Sequence, residues 1–224
     1  MIGIFAGIFI VVGFVILQTI DKRYQSKKLL FVQNYEFPKA CQELLTIKQP
    51  DFDPKTRIKA WNALRQYFYL HAMGKARNLG MPSKVGDEAW HAFLEFDAEY
   101  RAFCDGAFGA YLHHIPDEAA VPHAMTSASK FKPNIIQTWA SYHALRVNHP
   151  QFGNFGEPLP TVSNLFTLDA EFDAGWIYDK SAFVELEKLR RKFHANNSGG
   201  DGGSCGGSCG GHGGSCGGGC GGGD

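Results

Sequence analysis

The chain has 224 residues, with 22 basic and 22 acidic side chains that cancel to a formal net charge of zero. No global field therefore draws it to nucleic acid or to acidic substrates. Its six cysteines are too unevenly placed for a small disulfide scaffold. Setting aside an apolar N-terminal run and a glycine-rich C-terminal one leaves roughly 175 residues, enough for one core.

Ile2 to Leu17 is apolar or glycine throughout, and only Gln18 and Thr19 interrupt the run before Ile20. As a helix it spans roughly 28 Å, close to the hydrocarbon thickness of a bilayer. It has no basic n-region and no small-x-small cleavage site. Residues 1–20 thus read as a single-pass transmembrane anchor. Lys22, Arg23, Lys27 and Lys28 make 21–33 a basic juxtamembrane linker. That charge places the N-terminus outside and the domain and tail in the cytoplasm, where thiols stay reduced.

Residues 34–195 read as one α-helical domain, so the fold class is mainly α. A short helix enters near Phe37-Pro38, with Ala40, Cys41, Leu44 and Leu45 as its apolar stripe. Asp53-Pro54 is a helix start, with an N-cap carboxylate and proline at the first helical position. That helix is expected to run to about Leu79 and stop at Gly80, with Ile58, Trp61, Leu64, Phe68 and His71 at helical spacing. Ser83 can cap the next helix and Asp97 the one after. In the latter, Tyr100, Phe103, Cys104, Ala107, Phe108 and Tyr111 fall on one stripe. Asp117 to Phe131 reads as a long loop. Pro133 to Asn148 reads as a helix with Ile136, Trp139, His143 and Val147 along one side, ended by Pro150. A Gly/Pro-rich loop follows, then short packed segments at Leu165-Phe166 and Trp176-Ile177-Tyr178. Ser181 caps a last helix to about His194 that carries Phe183, Leu186, Leu189 and Phe193. Its basic end suits the helix dipole. No strand alternation, phosphate-cradling glycine loop or nucleophile motif stands out.

The stretch from Met81 to Pro116 gathers an acidic pair, Cys104 and three histidines among aromatics. Asp87 and His91 are four residues apart on one predicted helix, so their side chains can meet. A carboxylate that accepts one imidazole N–H makes the other nitrogen a better metal ligand. His113 and His114 end the next helix. In a simple hairpin through Glu95-Phe96-Asp97 they would lie at the far end from His91. The cluster therefore has three readings. It is a structural group, with Cys104 buried and the His pair bonding helix-end carbonyls. It is a metal site of His91 with His113 or His114, with Asp87 supporting from behind. Or it is a metal-free site with His91 as base and Asp87 as its orienter.

The run Pro82-Ser83, Asp87-Glu88-Ala89-Trp90-His91, Tyr100, Phe103-Cys104, Phe108-Gly109, Leu112-His113-His114 and Pro116 resembles the glycine-rich domain-containing protein-like family. That family has an Asp-x-x-Trp-His core and a later Tyr-x-x-Phe-Cys element. Leu159-Pro160, Leu165-Phe166 and Leu168-Asp169 look like its bacterial relatives, and a Gly/Cys-rich tail also fits. The likeness covers Met81 to Asp179. It implies an α-helical domain and brings no catalytic residues. Trp-His-Ala-Phe stands here where some relatives have a second histidine after Trp-His.

Residues 196–224 are glycine with serine, cysteine and one histidine. Such a segment cannot bury enough apolar surface to offset its ordering entropy, which predicts disorder. Its possible ligands run Cys205-x3-Cys209-x2-His212-x3-Cys216-x3-Cys220, a set suited to zinc or copper(I). Its Gly-Ser-Cys-Gly-Gly runs also look like heterocyclised microcin segments, which a large folded domain does not fit. Three functions are compatible with the sequence. The first is a membrane-anchored metal-binding or metal-handling protein using the Cys/His tail. The second is a membrane-tethered module that docks a protein partner, with no metal role. The third is an enzyme using His91, His113 and His114. None involves nucleic acid.

Overall fold

Helices carry the regular structure, as the spacing of the apolar positions requires. The computed structural model describes residues 2–74, 79–114, 131–148, 165–172 and 178–198, with side chains for 12–74, 79–114, 131–145, 165–172 and 178–193. Among the described residues there are eight helices and no strand. They are α1 Ile2–Gln33, α2 Lys39–Lys48, α3 Pro54–Ala72, α4 Lys84–Leu94, α5 Asp97–Ala107, α6 Pro133–Asn148, α7 Leu168–Glu171 and α8 Lys180–Ser198. The protein is mainly α-helical.

The first helix differs from the sequence reading. Residues 21–33, read as a linker, continue α1 without a break. Lys28 Nζ donates to the Phe108 carbonyl at 3.0 Å, satisfying a carbonyl at the end of α5 that its own helix leaves open. The Phe31 ring lies over Gly106, where a Cβ would come within 2.8 Å of it, and Val32 is wholly buried. Among the described residues no helix is long and apolar enough to cross a membrane. Lys22, Arg23, Lys27 and Lys28 lie on α1 itself. The lack of a spanning helix among the described residues overturns the single-pass anchor, the outward N-terminus and the cytoplasmic placement drawn from its flank.

An aromatic core joins α1 through α5. Tyr35, Phe37, Phe68, Phe93 and Phe103 meet at centroid separations between 4.6 and 5.9 Å. Cys41 and Leu45 of α2, and Trp61, Leu64 and Phe68 of α3, are buried as their spacing predicts, while Ile58 is exposed. The Asp53 carboxylate accepts from the Thr56 amide at 2.6 Å, the expected N-cap. α3 ends seven residues early. Gly74 takes a left-handed φ of 66°, which only glycine adopts at little cost.

α6 joins this core through Gly80, whose amide donates to Thr138 Oγ1 at 2.9 Å. A Cβ on Gly80 would lie 2.8 Å from Asn134 and Ile135 side-chain atoms. The buried face of α6 carries Ile135, Trp139, Tyr142 and Leu145, rotated from the predicted Ile136–His143 side; Val147 lies outside the described side chains. α8 buries Ala182 and Leu186. Its cap is Asp179, which accepts from the Ala182 amide and from the Ser181 hydroxyl, each at 2.7 Å. Asp97, expected as a cap, is instead the first residue of α5 and pairs with Arg101 at 2.7 Å. The predicted loops at 117–130 and 151–161, Trp176-Ile177 and the tail ligands Cys205, Cys209, His212, Cys216 and Cys220 lie outside the described residues.

Candidate functional site

α4 packs between α2, α3 and α5, and its first turn is fixed from outside. Ser83 caps it by accepting from the Gly86 amide at 3.0 Å. The buried Asp169 carboxylate of α7 accepts from the Ser83 hydroxyl at 2.5 Å, from the Lys84 amide at 2.7 Å and from the Val85 amide at 3.2 Å. An anion at a helix N-terminus meets both open N–H groups and the favourable end of the dipole. The sequence gives no cue to this contact, because 86 residues separate the partners.

The next turn carries Asp87, and one further turn carries His91. Trp90 between them points inward, as i+3 from Asp87 allows, and packs on Tyr67 and Phe68 at 5.1 and 5.6 Å. Its indole N–H donates to Tyr100 Oη at 3.1 Å, and Tyr100 donates onward to the Leu112 carbonyl at 2.6 Å. Gly109, at φ 75°, lets the chain reverse after α5. The turn and the Tyr100 bond hold 111–114 back along α4 and lay the His114 ring edge-on to Trp90 at 4.5 Å. A hairpin of α4 and α5 alone would have left His114 remote from His91; this return segment removes the difficulty.

His114 Nε2 lies 2.9 Å from Asp87 Oδ1, and His91 Nε2 lies 3.6 Å from Asp87 Oδ2. The two imidazole centroids are 4.6 Å apart. One ligating atom from each of Asp87, His91 and His114 falls within 4.8 Å of the others. Exposure rises across the group, from 13% for the His114 side chain to 24% for Asp87 and 45% for His91. Asp87, expected behind His91, offers a carboxylate oxygen within that same distance of both imidazoles. His113 is not part of the group: it is exposed and packs on Tyr111 at 4.8 Å.

Four buried titratable groups of the core are held neutral. Burial, and then the nearby Asp87 charge, raise the Tyr67 phenol, whose hydroxyl donates to the Leu79 carbonyl at 2.7 Å. Burial lowers His71 to about 4, and its Nε2 has no hydrogen-bond partner. Burial raises the Cys104 thiol, and raises Cys41 to about 11. Both thiols are wholly buried, so neither offers a thiolate for chemistry.

Fold and site together define a helical protein in which a central helix and the segment that returns along it bring two imidazoles and a carboxylate to one point. The chain matches the family model described as UCP032817-like over residues 27–180 and belongs to that family. The matched span holds Asp87, His91, His114 and Asp169, and ends before Cys205. No curated protein and no solved structure matches.

Proposed function

We propose that this protein binds a divalent transition-metal ion through Asp87, His91 and His114. The observation that carries the reading is the convergence of three ligating atoms within 4.8 Å from residues as far as 27 positions apart. Two imidazoles and a carboxylate suit zinc and its neighbours, whereas copper(I) prefers thiolate. Deprotonated Asp87 and neutral imidazoles can turn their lone pairs on one ion, replacing the direct Asp87–His114 bond. The tail cysteines are a second, softer ligand set, suited to zinc or copper(I), and with the domain site would make this a metal-handling protein. The 2.9 Å Asp87–His114 contact also favours a second reading, a metal-free acid/base pair in which Asp87 orients His114 rather than His91.

The test removes the tail ligands from the full chain, as Cys205→Ser, Cys209→Ser, His212→Ala, Cys216→Ser and Cys220→Ser. Dialysed against buffered zinc, that protein should retain about one ion per chain, as a three-ligand zinc site requires. Adding His114→Ala should abolish retention. A tail-substituted protein that keeps no zinc overturns the reading and leaves the acid/base pair.

A further inference from the structure

We infer that an ion held by Asp87, His91 and His114 keeps an open, solvent-facing coordination position that takes a small anionic oxygen or nitrogen ligand. The inference rests on the metal reading above and adds what the site would do with its ion. The described residues supply three donors, and zinc or cobalt(II) requires at least four. Among the described residues no fourth histidine, cysteine, aspartate or glutamate joins the group. His113, next to His114 in sequence, packs on Tyr111 at 4.8 Å. Glu95, four residues on from His91, is bound to Lys48 at 2.6 Å.

The direction of the opening follows from burial. His114 sits against Trp90 with its side chain 13% exposed, while the His91 side chain is 45% exposed. Protein therefore closes the His114 side, and the free position faces outward beside His91. Charge selects what fills it. A divalent ion with one carboxylate and two neutral imidazoles keeps a net positive charge, and a bound cation is the largest local charge in such a site. Hydroxide from water, a carboxylate, azide or a phosphate oxygen meets that demand; a protonated amine or an apolar ligand does not. Two of the donors come from successive turns of one rigid helix. A ligand that binds by displacing solvent therefore needs no rearrangement of the chain.

Cobalt(II) reports this directly, because its visible bands depend on the number and kind of its ligands. The full chain with the five tail substitutions is loaded with cobalt(II) and titrated with sodium azide, then with inorganic phosphate. The expected result is a saturable shift of the visible bands with azide, reversed in part by phosphate, and no protein-dependent bands in the His114→Ala version. A cobalt spectrum that neither anion alters overturns the inference while leaving the metal site standing. A spectrum that becomes anion-sensitive only after His113→Ala also overturns it, since His113 would then be the fourth ligand. Failure to bind cobalt or zinc at all removes the metal reading itself.

Discussion

Two carboxylates meet α4 within its first two turns, and they are used in opposite ways. Asp169 is buried, and its oxygens take three hydrogen bonds from Ser83, Lys84 and Val85. Asp87 is a quarter exposed, has one imidazole at hydrogen-bond distance and a second out of reach at 3.6 Å. The first group has partners matched to its geometry and little reason to bind anything else. The second is a convergence of acceptors and lone pairs that the described residues do not complete. Saturation separates a polar contact that holds a fold from one that is available to a ligand.

The comparison can be broken or sharpened by substitution. The largest effect should come from Trp90, which belongs to both the core and the wall of the site. Trp90→Ala should destabilise the domain by about 5 kcal/mol, the upper range for a buried aromatic, because Tyr100 also loses its donor. A loss under about 1 kcal/mol in denaturant unfolding would show that the Trp90–Tyr100 link does not support the core. Asp169→Ala should cost about 4 kcal/mol, since it strands two backbone amides and a hydroxyl in a buried place, and should leave zinc retention measurable at low temperature. If Asp169→Ala unfolds no more easily than the parent, the closed half of the contrast fails.

His71 sharpens the contrast from a third direction. Its folded pKa of about 4 lies below the ordinary 6.5, so between those values the unfolded chain binds more protons. Stability from this residue is fully present above pH 6.5 and is lost as pH falls toward 4, by about 3 kcal/mol in all. His71→Leu should flatten unfolding free energy against pH across that window; an unchanged slope would assign the acid sensitivity elsewhere. The smallest stability effect belongs to Asp87→Asn. It should change stability by under about 1 kcal/mol, because an amide oxygen can still accept from His114, yet it should abolish zinc retention. A large loss of stability there would make Asp87 a structural residue like Asp169.

Much of the α4 site is local and was legible. Ser83 as a cap and Asp87–His91 across one turn are matters of spacing within eleven residues. So are the inward faces of α3 and α5. What spacing could not show is how the chain returns. His114 reaches Asp87 only because Gly109 reverses the chain and Tyr100 ties it to Trp90, and Asp169 caps α4 from a helix of four residues. The face of α6 was misplaced because Ile135 and Ile136 serve a 3.6-residue period almost equally well. Only docking against Gly80 chooses between them. The stop of α3 was misread for a plainer reason: Gly74 carries the same signal as Gly80 and comes first. The apolar start of α1 was read as independent of the domain, whereas Lys28, Phe31 and Val32 at its other end are committed to α5 and the core.

Thermal unfolding with and without zinc tests the central claim most directly, because an ion bound only by the folded arrangement of Asp87, His91 and His114 must stabilise it. In the tail-substituted full chain, zinc at a hundredfold excess over its dissociation constant should add about 2.7 kcal/mol. The same zinc should add nothing to the His114→Ala version. Equal stabilisation of both proteins, or of neither, would contradict the assignment of the ion to α4 and its return segment.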